Sequence, residues 1–305
     1  MRKFHIKERG ITTVKTVILL IGHGSRDEDG NEEFLRFVED VQRSVPEQIF
    51  VSCFLELAEP DISAGIDTCV QLGATRIVAV PVILLAASHV KLEIPEFLDD
   101  ARDRYPHLDI VYGRNIGLHE RLLDLLVERF QEVFWDRDEP TPPTQSLGDT
   151  AIVLLGRGSS DPDANGDVYK IARVLWERTG VLTVETCFTG ITHPRLPEGV
   201  SRAIQLGAKR VVVIPYFLFT GILIKRMHNH LNDLQQQFPE VSLQMSGYFG
   251  FHSILREVVL DRVAEAQQGQ SFMNCNLCQY RRLAQHQHEH QHDHQQEHVP
   301  VRAAD

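Results

Sequence analysis

Short apolar runs alternate with longer amphipathic stretches along most of the chain. Val17–Ile21, Ile49–Leu55, Arg76–Leu85 and Asp109–Tyr112 show the compact apolar pattern of buried strands, with helical periodicity between and after them. This alternation predicts βαβ units and a parallel sheet. The rhythm stops between Asp136 and Asp149, a segment with three prolines and almost no apolar residue, which predicts a linker. It then restarts, and beyond Gly269 neither period survives.

The second run of the rhythm repeats the first. A constant offset of 134 residues aligns Gly22 with Gly156, Gly24 with Gly158, Ser25 with Ser159, Asn31 with Asn165, Cys53 with Cys187, Pro81 with Pro215 and Lys91 with Lys225, without a gap. Two copies of one doubly wound unit follow. The predicted architecture is α/β: two tandem doubly wound parallel-sheet domains at 1–135 and 150–268, a linker at 136–149, and a flexible tail at 269–305.

Composition narrows the function. The 305 residues are 43% hydrophobic, enough for two cores. Lys and Arg total 31 against 42 Asp and Glu, a net charge of −11, which excludes a general nucleic-acid binder but leaves room for a local basic pocket. Three of the five cysteines (Cys53, Cys69, Cys187) lie in apolar runs and form no disulfide framework, so a reducing compartment is expected. Met1 to Lys15 is charged and precedes only five apolar residues, too few for a signal peptide or a membrane span. The expected location is cytoplasmic.

Where the two copies disagree, chemistry becomes visible. His23 becomes Arg157, Glu56 becomes Gly190 and His89 becomes Leu223, although the flanking glycines persist. Each of the three lost groups sits at or just past a predicted strand's carboxyl end, where open α/β sheets bind ligands. Two imidazoles and a carboxylate make a three-ligand set for a divalent first-row metal and can also accept protons near neutral pH. The alternative for each histidine is a hydrogen-bonded structural role in a turn. Gly22-His23-Gly24-Ser25 lacks the lysine and spacing of a P-loop and the full dinucleotide fingerprint, so no nucleotide is expected.

Val17–Arg26 (VILLIGHGSR), Cys53–Pro60 (CFLELAEP) and Val80–Lys91 (VPVILLAASHVK) resemble the sirohydrochlorin chelatases, ATP-independent class II enzymes that insert a divalent metal into a tetrapyrrole. The resemblance covers both halves. It implies that His23 and His89 are metal ligands and proton acceptors, that Glu56 is a third ligand or relay, and that the second copy is catalytically silent. It also implies a polycarboxylate substrate, for which Arg26, Lys91 and Arg157 are candidate cationic contacts and Ser25 and Ser88 candidate hydrogen-bond donors. The alternatives are solvated surface cations and ordinary turn chemistry. Co2+ is the favoured metal; Fe2+ and Ni2+ use similar ligand sets.

Met273–Cys278 (MNCNLC) and the following histidines resemble the C-terminal extension of the long, cobalt-associated form. That form implies an iron–sulfur cluster, but Cys275 and Cys278 supply two thiolates where a cluster wants four ligands, so a second chain or tail histidines would be required. An oligomer through this tail is one consequence. His286, His288, His290, His292, His294 and His298 alternate with Gln, Glu and Asp and read as a metal-collecting segment. A metal-storage or delivery protein with an unrelated α/β body is the competing class, but storage gives no reason for His23, Glu56 and His89 to stand together.

Overall fold

The structure, a computed structural model, describes residues 14–134 and 147–270. Most of the predicted linker therefore lies outside the described residues, as do Cys275, Cys278 and the six tail histidines.

The first repeat runs β1 (Thr16–Gly22), α1 (Glu28–Ser44), β2 (Phe50–Phe54), α2 (Ile62–Gln71), β3 (Arg76–Pro81), a π-helical turn (His89–Glu93), α3 (Ile94–Arg104), β4 (Asp109–Tyr112) and α4 (Glu120–Phe134). The second runs β5 (Thr150–Gly156), α5 (Pro162–Thr179), β6 (Thr183–Phe188), α6 (Leu196–Gln205), β7 (Arg210–Pro215), α7 (Ile222–Gln237), β8 (Ser242–Met245) and α8 (Ser253–Gln267). Each repeat forms a four-stranded parallel sheet, ordered β2-β1-β3-β4 and β6-β5-β7-β8.

The continuous apolar run of β1 is explained by burial on both faces. Side chains alternate across a strand, so Ile18 and Leu20 enter one core while Val17, Leu19 and Ile21 enter another. In α1, Phe34, Phe37, Val38 and Val41 fall on one helical stripe and are all buried. Glu28 and Asp29 occupy the first turn, where the helix dipole favours negative charge.

The third strand is shorter than the apolar run Arg76–Leu85 predicts. Pairing with β1 ends at Ile21 opposite Pro81, because β1 itself ends one residue later. The carbonyls of Ile83 and Leu84 instead accept from the backbone N–H groups of Ile116 and Gly117, at 3.1 and 2.8 Å. Val82 N–H still donates to the Ile21 carbonyl at 2.8 Å, and past it the chain leaves the β1 ladder with these carbonyls satisfied.

The repeats are not packed separately. α4 lies against β7 and α5 of the second repeat, and α8 lies against β3 and β4 of the first, so each repeat's last helix covers the other's sheet. One inner core consequently contains Phe34, Phe37 and Leu125 together with Tyr216, Phe249 and Val258. Arg262, only 2% exposed, secures this exchange by donating from Nε and Nη2 to the Ile116 carbonyl at 3.0 and 2.6 Å. Its third nitrogen, Nη1, pairs with Glu265 at 2.6 Å, so the buried cation is neutralised.

Cys53, Cys69 and Cys187 are free thiols in the outer cores. Burial pushes Cys69 up to about 12 and raises Cys53 and Cys187 as well. They are packing groups rather than nucleophiles. Among the described residues no helix is long and apolar enough to cross a membrane.

Candidate active site

In each sheet the first strand lies between the second and third, so successive crossovers leave it in opposite directions and open a crevice at the carboxyl ends. His23 is the first residue after β1, Glu56 the second after β2, and His89 opens the turn that follows β3. The first two loops prolong the strand pairing: Leu55 N–H donates to the Gly22 carbonyl at 2.9 Å and Glu56 N–H to the His23 carbonyl at 3.1 Å. Gly24 makes that approach possible. Its φ is +88°, and a Cβ there would stand 1.7 Å from the Glu56 carbonyl oxygen.

These loops bring His23, Glu56 and His89 to one point, with a donor atom from each lying within 4.8 Å of the others. The imidazoles meet edge to face at 4.9 Å between centroids, and Glu56 Oε1 is 3.6 Å from His23 Nδ1. His89 Nδ1 lies 2.9 Å from Glu93 Oε1 but out of alignment for a hydrogen bond.

A one-residue insertion accompanies His89. The repeats keep an offset of 134 through Lys91 and Lys225, yet Tyr105 and Phe238, the residues ending α3 and α7, are 133 apart. The ladder agrees, since Gly113 N–H reaches Ala79 and Ser246 N–H reaches Val213. The first repeat absorbs its extra residue as the π-helical turn His89–Glu93, whereas α7 is continuous. π-bulges of this kind recur at functional sites because they re-aim side chains without displacing the downstream helix.

The three side chains line a cleft of about 750 Å³ walled by both repeats. Leu84, Leu85, Leu218 and Phe219 form much of its apolar surface. Leu57 and Ile191, equivalent in the two repeats, also line it at 51% and 63% exposure, with φ of +63° and +65°. Left-handed backbone is uncommon outside glycine and costliest at a β-branched residue such as Ile191, and it is retained at sites where that conformation is used. The sequence reading missed this pair; its signal was an apolar residue kept in both copies immediately after Glu56 and Gly190.

The second repeat reproduces the loop but not the chemistry. Gly158 has φ +86° and presses against the Gly190 carbonyl as Gly24 does against Glu56. In place of a second imidazole, Arg157 reaches across the cleft to put Nη1 2.8 Å from His23 Nε2. A guanidinium only donates, so Nε2 accepts and the proton sits on Nδ1, facing the Gly24 carbonyl at 3.1 Å. Burial lowers the His23 pKa below its ordinary value, and the Arg157 charge lowers it further. The imidazole is thereby kept neutral, the form that binds metal. Arg157→Ala is expected to raise the His23 pKa toward its ordinary value, since the guanidinium charge is removed while burial and the neighbouring His89 continue to oppose protonation. NMR titration of the metal-free protein measures this, and an unchanged or lower value would contradict it.

Of the other predicted contacts, Arg26 and Ser88 line the cleft and are exposed. Ser25 also lines it, but its Oγ accepts from Asp27 N–H at 3.0 Å while its backbone pairs with Asn31, and Ser159 and Asn165 repeat the arrangement. That brace belongs to the turn. Lys91 is committed elsewhere: Nζ donates to Asp161 at 2.6 Å and Asp163 at 3.3 Å, both in the second repeat. Lys225 reciprocates with Asp27 and Asp29 of the first, at 2.9 and 2.7 Å. Burial works against the Lys91 ammonium, but the bonds and charges of Asp161 and Asp163 outweigh it and hold its pKa above the ordinary value. The aligned lysines thus form a two-fold clasp between the repeats, which their conservation in both copies did not distinguish from substrate binding.

Comparison with known proteins agrees with this architecture. The family model CbiX matches residues 17–133 and again 151–266. A sirohydrochlorin cobaltochelatase of Priestia megaterium is 46% identical over 87% of this chain and 84% of its own length. A sirohydrochlorin ferrochelatase of the same organism is 37% identical over 81% and 88%. The crystal structure of the sirohydrochlorin chelatase SirB from Bacillus subtilis subspecies spizizenii, in complex with cobalt, superposes with a TM-score of 0.70 at 34% identity, covering 84% of this chain and 97% of that one.

Proposed function

This chain belongs to the CbiX family, and on that premise we propose that it is a sirohydrochlorin chelatase, a lyase forming metal–nitrogen bonds, with Co2+ as the favoured metal substrate. The observation that carries the reading is the cluster of His23, Glu56 and His89 on the cleft, matched by no donors at Arg157, Gly190 and Leu223.

Insertion requires the incoming ion to shed water and the macrocycle to lose its pyrrole protons. His23 and His89 hold the partly hydrated ion, with Glu56 adding a carboxylate donor, and this leaves coordination positions for ring nitrogens. As the metal transfers, the freed imidazoles and carboxylate are bases within reach of the pyrrole protons. Leu57 and Ile191 offer apolar faces to the macrocycle, and Arg26 and Arg157 offer cations to its carboxylates. Arg157 must release His23 Nε2 before that atom can take metal, and a substrate carboxylate is the natural competitor for its guanidinium. The first repeat supplies the chemistry and the second supplies shape and charge.

The Met273–Cys278 segment and histidine tract fit the long, cobalt-associated form and support a metal-collecting role for the tail. A four-cysteine cluster does not fit a single chain: Cys53, Cys69 and Cys187 are sealed in the cores, leaving Cys275 and Cys278. Buried unpaired thiols support a reducing, cytoplasmic setting.

Incubation of the protein with sirohydrochlorin and Co2+, Fe2+ or Ni2+ in turn, followed by the visible spectrum, tests the reading. Insertion in all three with the highest kcat/KM for Co2+ is expected. Metal bound by the protein without transfer to the ring would favour a storage or delivery role.

A further inference from the structure

A second cavity, of about 480 Å³, opens beside the cleft and shares Phe188, Thr189 and Leu223 with it. It lies in the second repeat, at the start of α6 and along α7, and Arg195, Arg226 and His230 line it. Arg226 and His230 are one helical turn apart and so lie on the same side of α7. Asp233, also in the lining, is its single acidic residue.

The alignment of the repeats shows that this charge is a replacement. Arg195 stands where the first repeat has Asp61, and downstream of the π-turn, where the offset is 133, Arg226 stands where it has Glu93. Asp61 is a working helix cap whose Oδ1 accepts from Ala64 N–H at 2.7 Å. A guanidinium has no acceptor and cannot cap; the start of α6 is held instead by Glu198, whose Oε2 accepts from Arg195 N–H at 2.5 Å, which leaves the Arg195 side chain free of a capping role. That side chain turns instead toward Gly190, with Nη1 3.7 Å from where a Cβ would be. Neither Arg195 nor Arg226 forms an ion pair among the described residues.

We propose that this cavity is a carboxylate-binding subsite in which Arg195 and Arg226 take peripheral carboxylates of the tetrapyrrole held in the adjoining cleft. The proposal rests on the chelatase reading and extends it. A chain of net charge −11 must concentrate cations where a polyanion docks, and here acidic and metal-ligating positions of one repeat have become arginines in the other. The first repeat's mouth attracts the metal, the second attracts the ring's carboxylates, and the shared wall joins them.

The test compares wild type with Arg195→Gln, Arg226→Gln and the double variant, measuring sirohydrochlorin binding without metal by fluorescence and insertion by absorbance. A charge-assisted bond contributes about 1.5–3 kcal/mol, so each substitution is expected to weaken binding and raise KM by about ten-fold or more, with kcat and melting temperature unchanged. The same variants should bind a fully esterified tetrapyrrole as wild type does. Wild-type binding with variants unaffected would overturn the subsite alone. Failure of wild type to bind the tetrapyrrole would overturn the chelatase reading and the subsite with it. Succinate that stabilises wild type but not the double variant, with KM for the tetrapyrrole unchanged between them, would assign the pocket to a free carboxylate and overturn the proposal.

Discussion

His23→Ala and His89→Ala are each expected to lower the rate of metal insertion by at least about 100-fold, the scale set by removing a positioned base or ligand. The loss should fall on chemistry rather than folding. Both imidazoles sit on partly exposed loops outside the three buried cores, and the backbone bonds closing those loops do not involve the rings. Glu56→Gln preserves shape and an oxygen donor while removing the charge, so its loss should be smaller. The measurements are initial rates with sirohydrochlorin and Co2+ beside thermal melts. Full activity in both alanine variants would overturn the assignment. If one fails to fold, the corresponding asparagine variant retains polarity and keeps the test open.

The sheet was legible because buried parallel strands leave continuous apolar runs that turns interrupt, and the repeat was legible because Gly24 and Gly158 cannot be replaced where a Cβ would meet a carbonyl oxygen. The strand-end histidines and Glu56 stood out because duplication supplied a second copy lacking them. What the sequence hid was pairing across space. Lys91 looked like a substrate contact because Asp161 and Asp163 lie far along the chain, and nothing local ties them to it. The exchange of α4 and α8 was equally hidden: an amphipathic stripe records that a helix packs, not which sheet it covers. The apolar run beyond Pro81 read as strand because periodicity does not reveal where the neighbouring strand stops.

The π-turn leads to the second large expected effect, because it is the local difference in backbone that accompanies a ligand in one repeat and a leucine in the other. Deleting Leu92 removes one residue between Lys91 and Ile94 and gives the first repeat the spacing of the second, in which α7 runs without a bulge. The protein should still fold. Ile94, Leu98 and Ala101 keep their places in the outer core, and the second repeat already tolerates this geometry with Met227, Leu231 and Leu234 buried at the corresponding positions. One residue is about 100° of helical rotation, so His89 would turn away from His23 and Glu56. Insertion should fall by about as much as in His89→Ala, and combining the two changes should cost little more, since both remove the same ligand. The Lys91 clasp with Asp161 and Asp163 should survive the deletion, because Lys225 makes the reciprocal clasp from a helix without a bulge, and Lys91→Ala is the control for any loss of it. That single variant should keep its rate within a few-fold, because partly exposed ion pairs contribute little. A deletion variant that melts normally and inserts metal at the wild-type rate would show that the extra residue is incidental and that His89 reaches the metal from either backbone.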